Sequence, residues 1–327
     1  FLRQHHIFRN NKYSDKEATM IKLFLKTAWR NIRKNSFFSF LHICGLSLAF
    51  MVALLLFLSA DFELSFNRHY SLADRTALLY TTSYPKQEVS RNDVLPQPLT
   101  PALKAEIPSI EAISRYGNGG LAMKHGAKEI YLTSRYIDAD FFNIFDIKVL
   151  RGKLSDFASI DAVVLSAKSA IKMFGSIDCI GQDFQIFTPK GWENRMVTAV
   201  VADQPKNTSI DFQSLQRFEK MPLYEEYKNS WTNSNHTVFA RFKNREDIAL
   251  FKEQTKTFVQ RKFAENVKQL KQSAAGTDKE GNFMLLEALP LNRMHLNNLG
   301  LGDATNPIYP WMLLLLTGLI LFIACSN

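Results

Sequence analysis

Few residues in this 327-residue sequence are suited to catalysis, metal binding or disulfide formation. Two of the three cysteines, Cys44 and Cys325, lie inside apolar segments, so Cys179 has no disulfide partner in the polar part of the chain. The seven histidines form no HExxH pair and show no other metal-ligand spacing. No glycine-rich stretch ends in Gly-Lys followed by Ser or Thr, so the phosphate-binding loop of ATPases is also missing. We therefore expect no cofactor, no metal and no enzymatic role for this chain.

Charged residues are absent from two long apolar segments. Residues 36–60 contain no Asp, Glu, Lys or Arg, and about 20 apolar residues of helix are enough to cross a bilayer core. Residues 309–327 are equally free of charge, and the apolar run is still unfinished at Asn327. We predict that residues 36–60 form transmembrane helix 1 and that residues 309–327 begin transmembrane helix 2. The chain is then expected to be the N-terminal fragment of a longer membrane protein.

Two other interpretations of these segments fit the sequence less well. A cleaved signal peptide would carry only about 7 to 15 apolar residues, which is fewer than residues 36–60 contain, although residues 58–60 resemble a cleavage site. The second segment would be a buried core helix if the protein were soluble. Its leucine run lacks the polar face of a surface helix, so membrane insertion is the better interpretation.

The charge of +9 is concentrated near the first apolar segment. Residues 1–60 carry nine basic and two acidic side chains, whereas residues 61–309 carry 31 and 29. Basic residues before the segment, and Asp61 and Glu63 after it, predict a cytoplasmic N-terminus. Residues 61–308 would then be periplasmic, in a protein of the bacterial inner membrane. This region has no basic stripe that would follow a phosphate backbone, so we expect no nucleic-acid partner.

A basic amphipathic helix is predicted at residues 20–35, after an extension at 1–19 with no fold of its own. Ile21, Leu25, Ala28 and Ile32 recur on one helical face, which indicates a helix in the membrane interface in contact with lipids. A solvated helix that packs on a soluble partner has the same pattern and stays open. The residues predicted to lie at the membrane interface are Lys22, Lys26, Trp29, Arg30, Arg33 and Lys34.

Strands and helices alternate irregularly between the apolar segments, which predicts an α+β fold. Strands are expected near residues 76–83, 111–116, 129–137, 183–187, 195–201 and 236–243, and helices near 98–106 and from Glu246 onward. The glycines at 117, 119 and 120 favour a hairpin or a flexible loop. A smaller subdomain is predicted to be inserted at about 155–235.

Two groups of polar residues have some potential for function. His42 lies within the first apolar segment, where an ionisable side chain is a functional candidate, although a structural contact with a neighbouring helix is the simpler interpretation. The acids at 138, 140 and 146 would suit a hydrolase only if they converged with a nucleophile and a base. No such partner is recognisable in the sequence.

Several stretches together resemble a known family. They are KTAWRNIRKNSFFSFLHICGLSLAFMVALLLF at the first apolar segment, DADFFNIFDIKVLRGK and VTAVVADQPKNTSIDF in the middle, and LILFIACSN at the end. Their order and spacing are similar to the beginning of ABC transporter permeases that have a MacB-like periplasmic core domain and an FtsX-like membrane part. The large forms common in Bacteroidetes are the most similar.

This resemblance implies a porter-like periplasmic subdomain with a smaller inserted subdomain. It also implies that a separate cytoplasmic subunit supplies the ATPase, and that motion passes through the first two spans to the periplasmic domain. Further partners implied are membrane lipids, a second permease copy and a membrane fusion protein. The function would be efflux, lipoprotein release or regulation of the cell envelope. The alternative is the sensor region of a two-span receptor such as a histidine kinase, which also places a domain between two spans.

Overall fold

The computed structural model describes residues 20, 22–24, 26–188 and 190–326. Two helices in this part of the chain are long and apolar enough to cross a membrane, α1 (Ser36–Leu64) and α9 (Ile308–Ser326). The helix α1 continues past the predicted boundary at Ala60, because helical hydrogen bonding does not depend on the apolar character that ends there. Phe62–Pro307, which includes the last turn of α1, forms a compact unit of its own, and α1 up to Asp61 belongs with α9 to a second unit.

The basic segment before α1 is helical where it is described. Residues 26–34 are helical and a turn at Asn35 separates them from α1. Ile21 and Leu25 of the predicted apolar face, and the predicted extension at 1–19, lie outside the described residues.

Twelve strands are present in the described residues, and they join in one sheet. They are β1 (Thr76–Ser83), β2 (Ser90–Asn92), β3 (Leu95–Pro96), β4 (Ile110–His125), β5 (Lys128–Ile137), β6 (Val149–Gly152), β7 (Val163–Ser166), β8 (Asp183–Thr188), β9 (Gly191–Val201), β10 (Ser214–Arg217), β11 (Ser234–Phe242) and β12 (Met284–Pro290). The main strand order is β12-β1-β11-β4-β5-β10-β7-β9-β6. Most pairs are antiparallel, whereas β10 with β5 and β7 with β9 are parallel.

Short helices connect the strands. They are α2 (Leu99–Glu106), α3 (Phe141–Ile144), α4 (Ala167–Phe174), α5 (Tyr224–Tyr227), α6 (Glu246–Lys262), α7 (Ala264–Gln272) and α8 (Leu291–Met294). The helix predicted from Glu246 is therefore divided in two at Phe263, whose ψ of 25° departs from helical geometry. The mixture of helices and strands confirms the predicted α+β class. The division into a core and an insertion at about 155–235 stays a prediction.

Three apolar clusters form the interior of the compact unit. The first includes Tyr70, Phe141, Phe145 and Phe239, and the second packs α2 and α6 against β1, β11 and β12. The third lies between α4 and strands β4, β5, β7, β8 and β9. Helix α6 also covers the terminal strand β12: the buried Thr255 hydroxyl, which is 2.8 Å from the Phe251 carbonyl of its own helix, lies 3.2 Å from the carbonyl of Leu286.

The glycine cluster lies in strand β4, which pairs antiparallel with the next strand β5 as far as His125 and Lys128, so the expected hairpin is confirmed and a flexible loop is excluded at these glycines. Gly119 and Gly120 are paired with Ser134 and Thr133 of β5. A Cβ atom on Gly119 would lie 2.4 Å from Cε2 of Tyr136, and one on Gly120 would lie 1.6 Å from the Tyr131 hydroxyl oxygen. The absence of side chains at Gly119 and Gly120 therefore leaves the space that the two tyrosines occupy.

Candidate functional site

The candidate site is the segment that leads from α1 into the sheet. Residues 62–75, here called the exit segment, connect the last turn of α1 with β1. They contact two other parts of the chain, the loop 203–211 between β9 and β10 and residues 291–305 after β12. We call this meeting of three segments the junction. All of its residues belong to the compact unit Phe62–Pro307.

Asn67 is the centre of the junction and is completely buried. Its Nδ2 donates to the Ser209 hydroxyl at 2.9 Å and to the Leu291 carbonyl at 3.0 Å, and its Oδ1 accepts from the Ser209 amide at 2.8 Å. Its own amide donates to the Asn207 carbonyl at 3.0 Å. The φ of 60° is left-handed, a conformation that asparagine adopts more readily than most residues. Backbone and side chain of Asn67 thus contact two distant segments at once.

Further polar contacts fasten the exit segment to the same loop. Asn207 Nδ2 donates to the hydroxyl and the carbonyl of Ser65, at 2.9 and 3.3 Å. The Tyr70 hydroxyl donates to Gln204 Oε1 at 3.2 Å and lies 3.1 Å from the Thr208 hydroxyl. Burial raises the pKa of Tyr70, so the phenol stays protonated. The loop 203–211 is therefore attached to the exit segment along much of its length.

The second part of the junction is a pair between Glu63 and His295. Their carboxylate and imidazole are 2.6 Å apart, and the Phe66 ring stacks on the imidazole with 3.4 Å between centroids. The carboxylate accepts a hydrogen bond from Nε2, while Nδ1 has no hydrogen-bond partner within the described residues. The two side chains are 21% and 10% exposed, so water screens the pair only weakly.

The chain after His295 forms a compact loop before α9 begins. The Thr305 amide donates to the His295 carbonyl at 2.7 Å. Asn297 Nδ2 donates to the carbonyls of Met294 and Leu301 at 2.6 and 3.1 Å, and its Oδ1 accepts from the Leu299 amide. These internal bonds hold residues 294–305 in one arrangement close to the start of α9 in the sequence.

The acids considered for hydrolysis do not converge. Asp138 binds the Arg115 guanidinium, Asp140 pairs with Lys104, and Asp146 accepts from the amide and hydroxyl of Ser71 at 2.8 and 2.6 Å. Each carboxylate thus has a structural partner. Among the described residues, no group of three or more His, Cys, Asp or Glu side chains is arranged to hold a metal ion.

The residues predicted to lie at the membrane interface are all exposed along the helical stretch before α1, and their role there stays a prediction. His42 is exposed on α1 and lines a groove with Gly45 and Ala49, opposite Ile320 and Ile323 of α9. No hydrogen bond to His42 is present in the described part of the chain, so a polar contact for it also stays a prediction.

The sequence did not reveal the junction. Asn67 and Ser209 are 142 residues apart, Asn67 and Leu291 are 224 apart, and Glu63 and His295 are 232 apart. No local spacing connects residues at such separations. One feature of the sequence could have pointed to the junction, namely that the exit segment directly follows an apolar helix.

Comparison with known proteins agrees with this architecture. The family model of the MacB-like periplasmic core domain matches residues 39–258. A solved domain of a permease protein from Porphyromonas gingivalis superposes with a TM-score of 0.58 and 20% identity, over 73% of this chain and 97% of that domain. At 20% identity, this similarity is evidence for a shared fold and not for a shared role.

Two more solved domains are less similar. The extracellular domain of the noncanonic ABC-type transporter YknZ from Gram-positive bacteria has a TM-score of 0.40 and 13% identity, over 65% of this chain and 99% of that domain. The periplasmic region of MacB from Actinobacillus actinomycetemcomitans has a TM-score of 0.42 and 13% identity, over 63% and 96%. The search of curated proteins found no match.

Proposed function

Because the chain belongs to the family of MacB-like periplasmic core domains, we propose that it is a permease subunit that couples ATP hydrolysis on a separate cytoplasmic subunit to movement of a periplasmic domain. The chain itself contributes no catalysis in this proposal. Helices α1 and α9 cross the inner membrane, with the N-terminus in the cytoplasm and residues 62–307 in the periplasm. The basic residues from Lys22 to Lys34 contact lipid headgroups at the cytoplasmic surface.

The junction is the observation that carries this proposal. Glu63 lies in the last turn of α1, and its partner His295 lies in the segment that leads to α9. Hydrogen bonds from Asn67 extend the contact to the loop 203–211. A displacement at the end of α1 would therefore reach the periplasmic domain through several buried polar contacts, and would not be lost in a mobile linker.

The role of such a movement would be export across the envelope, release of lipoproteins or control of an envelope enzyme. A second permease copy and a membrane fusion protein are the partners that these roles would require beyond the ATPase subunit. The sensor region of a two-span receptor is the alternative, and it requires no ATP-binding partner.

Co-purification of the full-length protein in detergent tests the proposal. The protein is expressed with a C-terminal tag from its own locus, and the bound proteins are identified by mass spectrometry. We expect an ATP-binding subunit in a constant ratio, and ATP hydrolysis in the purified complex. A tagged membrane protein with two spans and an unrelated domain serves as the control. Recovery of a kinase domain in the same polypeptide, or of no ATPase when both proteins are expressed and folded, would contradict the proposal.

A further inference from the structure

The contacts of Asn67 connect regions that are far apart in the strand order. Its Nδ2 binds the carbonyl of Leu291, the residue directly after β12, which is the first strand of that order. The same Nδ2 binds the hydroxyl of Ser209 in the loop after β9, which is the last strand but one. One side-chain amide group therefore links the end of β12 to the loop between β9 and β10.

The loop 203–211 is also attached to the layer on its other side. Asp203 Oδ1 accepts a hydrogen bond at 3.1 Å from the amide of Lys168, in the first turn of α4. Helix α4 packs with β7, β8 and β9 around the third apolar cluster, to which Leu121 and Met123 of β4 and Leu132 of β5 also belong. We call α4 together with β7, β8 and β9 the α4 layer. A continuous path of hydrogen bonds and short chain segments thus runs from the exit segment through Asn67, Ser209 and Asp203 to the α4 layer.

The contacts of Glu63 follow a different path. His295 lies on the β12 side of the junction, and its carbonyl and side chain bind Thr305 and Glu63. Neither contact reaches the loop 203–211. The junction therefore has two parts: the Glu63–His295 pair holds only the β12 side, whereas Asn67 joins the β12 side to the loop 203–211.

We infer that Asn67 is the positioning residue that makes the α4 layer follow the exit segment, and so sets the distance between this layer and the α6 side of the domain. This inference deepens the proposed function, on which its nucleotide-dependent part rests. Asn67 is completely buried, and removal of its side chain takes these hydrogen bonds from the Leu291 carbonyl and the Ser209 amide.

Pulsed electron paramagnetic resonance on the full-length protein in nanodiscs tests this inference. The native cysteines are replaced, and spin labels are placed at Ile171 of α4 and Leu250 of α6, which are both 52% exposed. In Asn67→Gly the backbone keeps its conformation, because glycine adopts positive φ without strain. We expect this variant to broaden the distance distribution between the labels in the resting protein.

Two comparison variants separate a positioning role from a general loss of structure. His295→Gln breaks the other part of the junction, and we expect its label distribution to stay as narrow as that of the parent. Ser209→Ala removes one hydroxyl and retains the amide that binds Asn67 Oδ1, so an intermediate width is expected. Circular dichroism verifies that each variant is folded. A parent-like distribution in folded Asn67→Gly would overturn the inference, and so would equal broadening in His295→Gln.

The nucleotide-dependent measurement uses the complex with the ATP-binding subunit. We expect ATP with vanadate to shift the label distance in the parent and in His295→Gln, and we expect Asn67→Gly to lose that shift while it still hydrolyses ATP. A shift of full size in Asn67→Gly would overturn the inference. Failure to recover any ATP-binding subunit would count against the proposed function, whereas the resting distributions would still decide the role of Asn67.

Discussion

The side chains of Glu63 and His295 are joined by a hydrogen bond of 2.6 Å, although 232 residues separate them in the sequence. Phe66 stacks on the imidazole and limits the access of water. The pair holds the last turn of α1 against the segment that leads to α9.

Removal of either partner should destabilise the domain. A hydrogen bond to a charged group contributes about 1.5–3 kcal/mol, and we expect Glu63→Gln and His295→Gln each to lower the free energy of unfolding by about that amount. The Tm of the purified full-length protein is the measurement. The control is Glu226→Gln, whose carboxylate is exposed and which should leave the Tm unchanged. A double variant as unstable as the two single changes summed would show that the residues do not interact.

Two neighbouring glycines should differ in their tolerance of alanine. In Gly119→Ala the new Cβ meets the ring of Tyr136, which is 8% exposed and has little room to move, so we expect a loss of about 1–3 kcal/mol in the free energy of unfolding. In Gly120→Ala the new Cβ meets Tyr131, which is 70% exposed and can turn toward solvent. We expect a change below about 0.5 kcal/mol there. Thermal unfolding of both variants is the measurement. An equal loss of stability in Gly119→Ala and Gly120→Ala would contradict the prediction that only the buried Tyr136 resists the new methyl group.

The stability of the domain should fall in acid because of His236. Burial, and then the nearby Arg115, lower the pKa of His236 from 6.5 to about 3, so the folded protein keeps this imidazole neutral. The unfolded chain binds a proton below about pH 6.5, and stability is therefore lost as the pH falls from 6.5 toward 3.

We expect His236 to account for about 1–2 kcal/mol of the stability lost between pH 7 and pH 5. Unfolding midpoints across this range, for the parent and for His236→Gln, give the measurement. The variant should be less stable at pH 7 but should have a flatter pH dependence, whereas His125→Gln, at an exposed histidine, should retain the parent slope. Parallel curves for the parent and His236→Gln would refute this account.

The proposed topology predicts which cysteines a membrane-impermeant maleimide can reach. Leu250→Cys, in a background without native cysteines, should react in intact spheroplasts because it lies on the exposed side of α6. Asn31→Cys, exposed in the basic helical stretch, should react only after lysis. The reverse pattern would place the N-terminus outside the cytoplasm.

The basic stretch should bind anionic membranes. A peptide of residues 20–35 carries five of the predicted interface cations, and each basic residue near an anionic surface contributes about 1 kcal/mol to binding. Trp29 fluorescence should shift to the blue with phosphatidylglycerol vesicles, and much less with phosphatidylcholine vesicles. Replacement of the five cations by glutamine should abolish the difference, while equal binding to both vesicles would exclude an electrostatic role.

Local patterns were sufficient to predict much of the fold. The strand at Thr76–Ser83 was predicted at its observed bounds, and the helix at 98–106 begins one residue later than expected, at Leu99. Both apolar helices were evident, since each uncharged run is about as long as a bilayer core requires. In each of these cases, the residues that determine the structure are adjacent in the sequence.

The sequence was less informative where distant residues decide the outcome. The glycines of β4 indicate a hairpin or a flexible loop by themselves, and their place in an arm of the β4–β5 hairpin depends on Tyr131 and Tyr136 of the next strand. Likewise, a buried Asn67 is stable only because Ser209 and Leu291 supply its hydrogen bonds. Such complementarity is a property of the folded domain, and no spacing within a short window encodes it.

The packing of α6 over β12 affects how copies of this protein can associate in the cell. None of the seven residues of Met284–Pro290 is exposed, and the Thr255 hydroxyl of α6 lies 3.2 Å from the Leu286 carbonyl of the strand. A bare outermost strand would invite another chain to add to the sheet. Because α6 covers β12, copies of the protein can lie close together on one membrane without pairing through the backbone of this strand.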